Sequence, residues 1–105
     1  MIRQITIQHT PGCPNLPLAW ERVEAAISQL GGSAPAVTVE RIADPEDGTR
    51  RAFRGSPAVL FDGVDPFGPA GVPAFACRTY RSDTGIDAAP SVRQILDVLT
   101  SGQGD

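Results

Sequence analysis

The chain has 105 residues, of which 41% are apolar, and a net charge of -3. That length supports one small domain with a thin core. The acidic balance argues against nucleic acid or an anionic membrane surface as the main partner, and no apolar run approaches the length of a membrane span.

Residues 2–8 alternate around Ile5 and Ile7 and read as a strand. Pro11-Gly12 is a turn signal, and Pro14 suits the first turn of a helix. Leu16, Trp20, Val23, Ile27 and Leu30 then recur at three- and four-residue steps, with Ala19 and Ala26 widening the stripe and Glu21, Arg22 and Glu24 facing out. Pro17 fits this helix only if it starts at about Pro14 or Asn15. Gly31-Gly32 stops it.

Residues 35–42 are the second strand. Asp44 reads as the cap of a short helix, with Pro45 at its first position and Glu46 and Asp47 in its first turn, ending near residues 52–54. Gly55-Ser56-Pro57 turns the chain. The continuous apolar run 58–61 is a buried strand, and Asp62-Gly63 is a turn. Residues 64–73, rich in Pro and Gly, form an ordered loop that Phe67 pins to the body. Residues 74–81 are a fourth strand, with Phe75, Cys77 and Thr79 on one face and Arg78 and Tyr80 on the other. After a loop over 82–89, a last helix spans 90–99, opened by a Ser91…Gln94 capping box and burying Val92, Ile95, Leu96 and Leu99. One domain over residues 1–100 and a disordered tail over 101–105 are expected.

The order is therefore β-α-β-α-β-β-α, an α/β domain with a four-stranded mixed sheet flanked by helices. Strands joined through a helix are expected to run parallel, and strands three and four antiparallel. Residues 2–7 are strand-like from the start, not a charged segment leading into an apolar one, so a soluble cytoplasmic protein is expected. Two cysteines in such a chain read as thiols. Two cysteines and one histidine are too few for a structural zinc site, so neither a metal nor a cofactor is expected.

Cys13 carries the chemistry. It falls at a strand-to-helix turn, where orphan N–H groups and the positive end of the helix dipole favour an anion such as a thiolate. A dithiol oxidoreductase needs a second thiol on the first turn, and Leu16 stands where it would be. Three options stay open: Cys13 works alone, it pairs with Cys77, or the site does no redox chemistry. On a regular antiparallel strand four, Cys77 lies about three residues, ~10 Å, from the end nearest Cys13. A disulfide needs Cα atoms within ~7 Å. That geometry favours Cys77 as a small buried core residue. His9 could serve as a base or second ligand, but it reads more simply as a polar residue at a strand end. Asp62 and Asp65 are turn residues. Arg50, Arg51 and Arg54 form a solvated basic face, and Trp20 belongs to the helix core.

Cys13-Pro14-Asn15-Leu16 and Gly55-Ser56-Pro57-Ala58-Val59, in this element order, resemble the thioredoxin fold over residues 2–99. Together with Asp62-Gly63, Asp65-Pro66-Phe67, Ala76-Cys77-Arg78, Tyr80 and Ala89-Pro90-Ser91-Val92, they look like small bacterial thioredoxin-family proteins, some labelled alkylmercury lyase. The resemblance implies a single thioredoxin-like domain in which the Ser56–Pro57 bond is cis and sits against Cys13. On the first of two readings Cys13 is the catalytic nucleophile, Cys77 is a candidate resolving thiol, and Pro57, with Ser56 and Pro14, shapes the substrate groove. The function it implies is a thiol-disulfide oxidoreductase acting on a thiol or disulfide protein substrate. The alternative is a non-catalytic binding module for a protein partner or a soft metal such as mercury, which thiolates select.

Overall fold

Ile5 and Ile7 point to one face of the first strand, and both are fully buried. That strand, β1 (Gln4–His9), is the middle of a three-stranded sheet in the computed structural model, which describes residues 2–31, 34–67, 76–82 and 85–101. On one side it pairs in parallel with β2 (Ala36–Arg41), from Gln4↔Ala36 to His9↔Arg41. On the other it pairs antiparallel with β3 (Ala58–Phe61), from Ile5↔Phe61 to Gln8↔Ala58.

The antiparallel β3 departs from the crossover expectation, and the reason lies between β2 and β3. The connecting helix α2 (Pro45–Arg50) has six residues, a rise of only ~9 Å. It is too short to carry the chain back down a six-residue strand of ~20 Å. The chain instead re-enters the sheet at the end where β2 left it. The expected start of α2 holds: Asp44 Oδ1 accepts from Asp47 N at 2.8 Å, and Pro45 is first in the helix. The helix stops at Arg50, earlier than expected, and Ala52 takes a left-handed φ of 54°.

The expected four-stranded sheet is not what forms. Among the described residues, the segment beyond β3 contributes an isolated parallel bridge, Ser56↔Cys77. It then forms a separate two-stranded hairpin of β4 (Tyr80–Ser82) and β5 (Gly85–Asp87). Residues 74 and 75 of the expected strand lie outside the described residues, as do residues 68–73 of the preceding loop. The expected faces are also exchanged. Tyr80 is buried and Arg78 half-buried, while Cys77 and Thr79 are exposed. Burying an aromatic ring of Tyr80's size outweighs burying a thiol and a threonine.

Two helices cover the Ile5/Ile7 face. α1 (Leu16–Leu30) buries Ala19, Val23 and Ala26, and α3 (Val92–Ser101) buries Ile95, Val98 and Leu99 against the same cluster as Val59 and Phe61. Each fully buried Ile or Phe contributes ~1.5–3 kcal/mol from its removal from water. The buried line of α1 runs through its small residues, so Trp20 is not in the core but on its rim, 36% exposed. Arg22, expected to face out, donates to Ala89 O at 3.0 Å and pairs with Asp87 at 3.0 Å, holding the approach to α3. The capping box forms reciprocally: Gln94 N donates to Ser91 Oγ at 3.0 Å and Ser91 N to Gln94 Oε1 at 2.9 Å. α3 continues through Ser101, one residue into the expected tail, and residues 102–105 lie outside the described residues. The opposite face of the sheet carries a second cluster of Ile42, Phe53 and Ala58, with Leu60 beside it. Among the described residues no helix is long and apolar enough to cross a membrane.

Candidate functional site

The chain leaves β1 at His9 and reverses before entering α1. Cys13 N donates to Thr10 O at 3.1 Å, closing a tight turn. Gly12 holds φ +72° there, a conformation that side chains resist. α1 begins at Leu16 with Asn15 as its cap and Pro17 at its second position. Cys13 therefore stands two residues before the cap, in the turn itself. It is half-buried, Pro14 beside it is exposed, and both cysteines are free thiols.

Thr10 is the hub of this turn. Its carbonyl takes the Cys13 N–H and also lies 3.1 Å from His9 Nδ1. Its own N–H donates to Ser56 Oγ at 3.1 Å. The Cys13 turn is thereby tied to the Ser56–Pro57 peptide, which is cis, as expected. Ser56 and Pro57 are fully buried. They stand behind the thiol-bearing turn and support it.

A third strand of chain closes the arrangement. Ser56 N donates to Ala76 O at 2.7 Å, and Arg78 N donates to Ser56 O at 2.9 Å, so Cys77 lies directly across from Ser56. Gly55, at φ +120°, permits this approach: a Cβ there would stand 2.8 Å from Arg78 Cβ. Tyr80 hydroxyl donates to Pro57 O. Its ring meets Phe67 edge-on at 5.9 Å and lies 4.5 Å beneath the Arg78 guanidinium. Burial pushes the Tyr80 phenol well above its ordinary range, Asp65 adds to that, and Arg78 opposes it. Asp65 holds Arg78 through both carboxylate oxygens, at 2.5 and 3.2 Å.

The structure thus gathers the predicted Cys13, Ser56, Pro57 and Cys77 around one hydrogen-bonded core, with Pro14 at its margin. Cys77 is exposed, not the buried core residue that strand geometry favoured, because its segment turns Tyr80 and Arg78 inward instead. The reading of the sequence missed Thr10, Asp65, Arg78 and Tyr80 as structural partners of the site. The signal for the last two was present: an arginine and a tyrosine two residues apart share one strand face. Asp62 proves structural, its carboxylate accepting from Gln4 N at 2.9 Å and Arg3 N at 3.0 Å. Among the described residues no three His, Cys, Asp or Glu side chains come together as metal ligands.

Two concavities flank the site. One, of about 380 Å³, lies beside Tyr80 and is lined by Phe67, Thr79, Arg81, Ile86 and Gln94 among others. The other, of about 560 Å³, is an open apolar depression formed by Leu16, Pro17, Trp20, Glu21 and Val39, directly after the Cys13 turn. Comparison of the chain with protein-family models, with curated proteins and with solved structures finds no match in any of the three.

Proposed function

We propose that the protein is a thiol-disulfide exchange protein whose nucleophile is Cys13. The observation that carries this reading is the 3.1 Å hydrogen bond from Thr10 N to Ser56 Oγ. It anchors a partly open cysteine turn to a buried, rigid support. A thiol held in one geometry loses less freedom in reaching the transition state of exchange than a mobile one. The resemblance of the Cys13 turn and the Ser56–Pro57 peptide to thioredoxin-family proteins supports the same chemistry from the side of sequence. Exchange proceeds by attack of the thiolate on a disulfide sulfur to give a mixed disulfide.

The test uses the second cysteine as an internal standard. Cys77 is exposed and Cys13 half-buried, so accessibility alone makes Cys77 the faster thiol. The proposed function requires the reverse order. Exchange with a chromogenic aryl disulfide, followed in Cys13→Ser and Cys77→Ser, measures each thiol separately. A Cys13 slower than Cys77 refutes the reading.

A second reading has its own observation. Trp20 and Val39 are 36% and 45% exposed on one apolar depression. This favours a binding module that holds an apolar partner segment without turnover. An unreactive Cys13 leaves this reading standing.

A further inference from the structure

We infer that Cys77 is the resolving thiol for Cys13, so that the oxidised form of the site is a Cys13–Cys77 disulfide. This rests on the reading of Cys13 as nucleophile and assigns its reaction partner within the chain. Three observations carry it. Leu16, at the first position of α1, leaves no thiol on the turn that could resolve a mixed disulfide locally. Cys77 is bridged to Ser56 in parallel register, and residues paired across two strands project their side chains to the same face. Ser56 turns its Oγ to Thr10 N, and Thr10 O receives the Cys13 N–H. Cys77 therefore shares a sheet face with the hydroxyl that grips the Cys13 turn.

Accessibility and attachment agree with this placement. Cys13 is half-buried and Cys77 exposed, so both thiols reach solvent. The 76–78 segment is fixed opposite Ser56 by two backbone hydrogen bonds and by the buried Arg78–Asp65 pair, which hold Cys77 in that place. A disulfide requires the two Cα atoms to come within ~7 Å, which draws the Cys13 turn and the 76–78 segment together beside Ser56.

The chemistry balances with a low-molecular-weight disulfide as oxidant. The Cys13 thiolate attacks one sulfur of glutathione disulfide, breaking its S–S bond. This forms a mixed disulfide and releases one glutathione thiolate. The Cys77 thiolate then attacks Cys13 Sγ, breaking the mixed disulfide and releasing the second glutathione. Two protein thiols are oxidised and one disulfide is reduced to two thiols, which take up the two protons.

The full chain, reduced and freed of reductant, is incubated with glutathione disulfide, acid-quenched and analysed by intact mass and peptide mapping. Wild type is expected to lose both free thiols, gain the Cys13–Cys77 bond and retain no glutathione. Cys77→Ser is expected to accumulate one glutathione on Cys13. A wild type that keeps glutathione on Cys13, or links to a second copy through Cys77, overturns the inference while leaving Cys13 as a nucleophile. A Cys77→Ser protein that takes up no glutathione on Cys13 overturns both readings. Circular dichroism of each variant verifies that it folds.

Discussion

Replacing Arg78 by methionine should cost the fold ~3–5 kcal/mol, the range for stranding one partner of a buried ion pair. Asp65 and Arg78 expose only 10% and 9% of their side chains. Their contact is bidentate, the geometry in which an arginine–carboxylate pair is strongest. Methionine keeps the aliphatic stem of Arg78 and leaves its N–H on Ser56 O. What it removes is the guanidinium, with its contact over the buried Tyr80 ring worth ~2 kcal/mol when desolvated. Asp65 then retains the Phe67 N–H at 3.0 Å as its remaining donor in this group. In a chain of 105 residues, such a loss corresponds to a fall in Tm of ~15–25 °C. Urea unfolding followed by circular dichroism measures it directly. Because the penalty is mostly that of a stranded charge, Asp65→Leu combined with Arg78→Met should cost less than Arg78→Met alone. A single-variant cost below ~1 kcal/mol, the value for solvent-exposed pairs, would falsify the buried-pair argument. So would a double variant as damaged as the sum of its parts.

Two predictions concern pH. Asp47 is held near 2, below its ordinary 3.8, first by the Arg51 hydrogen bond and then by the Ala43 N–H. A depressed carboxyl pKa contributes stability above the ordinary value, and the contribution is lost as pH falls through the folded one. Asp47→Asn should therefore lower the urea midpoint at neutral pH and flatten its decline between about pH 4 and 2; an unchanged acid profile refutes the assignment. Tyr80 is the single tyrosine, and its phenol is raised by burial, so its contribution is present below the ordinary value of about 10 and is lost as pH rises through the folded value. Phenolate absorbance should appear only well above pH 10 and together with loss of helical signal, and a reversible titration near 10 in the folded protein contradicts the burial.

The elements that were legible in the sequence are those specified by neighbouring residues. The Asp44–Pro45 cap, the Ser91…Gln94 box, the Asp62-Gly63 turn and the buried run of β3 each need only a few adjacent positions, and each forms. Periodicity located α1 but misplaced its centre. Small Ala19 and Ala26 let the helix sit close to the sheet, and the larger Trp20 is left at the rim. The path after β3 was not legible because it depends on partners far apart in the chain. Arg78 finds Asp65 across thirteen positions, and Tyr80 finds Pro57 across twenty-three. Alternation alone cannot tell which strand face such partners will bury. The Cys13 turn and a cis peptide set against it were expected from the resemblance. The route of that contact, from Thr10 N to Ser56 Oγ across forty-six positions, was not.

On the proposed reading, that contact lets the site work without a local second thiol. Resolution of a mixed disulfide requires only that another thiol be presented at the same place, whatever its distance along the chain. Here one residue, Ser56, faces both cysteine segments. Its hydroxyl receives the turn that carries Cys13, and its backbone N–H and C=O grip the residues on either side of Cys77. Arg78, whose N–H bonds Ser56 O, is in turn held by Asp65 and lies over the Tyr80 ring. On the proposed reading, the Asp65–Arg78 pair supports both the fold and the placement of Cys77. An Arg78→Met protein that remains folded should lose its grip on the 76–78 segment before it loses the Cys13 turn, since the turn is held by Thr10 and the segment depends on the Asp65 pair.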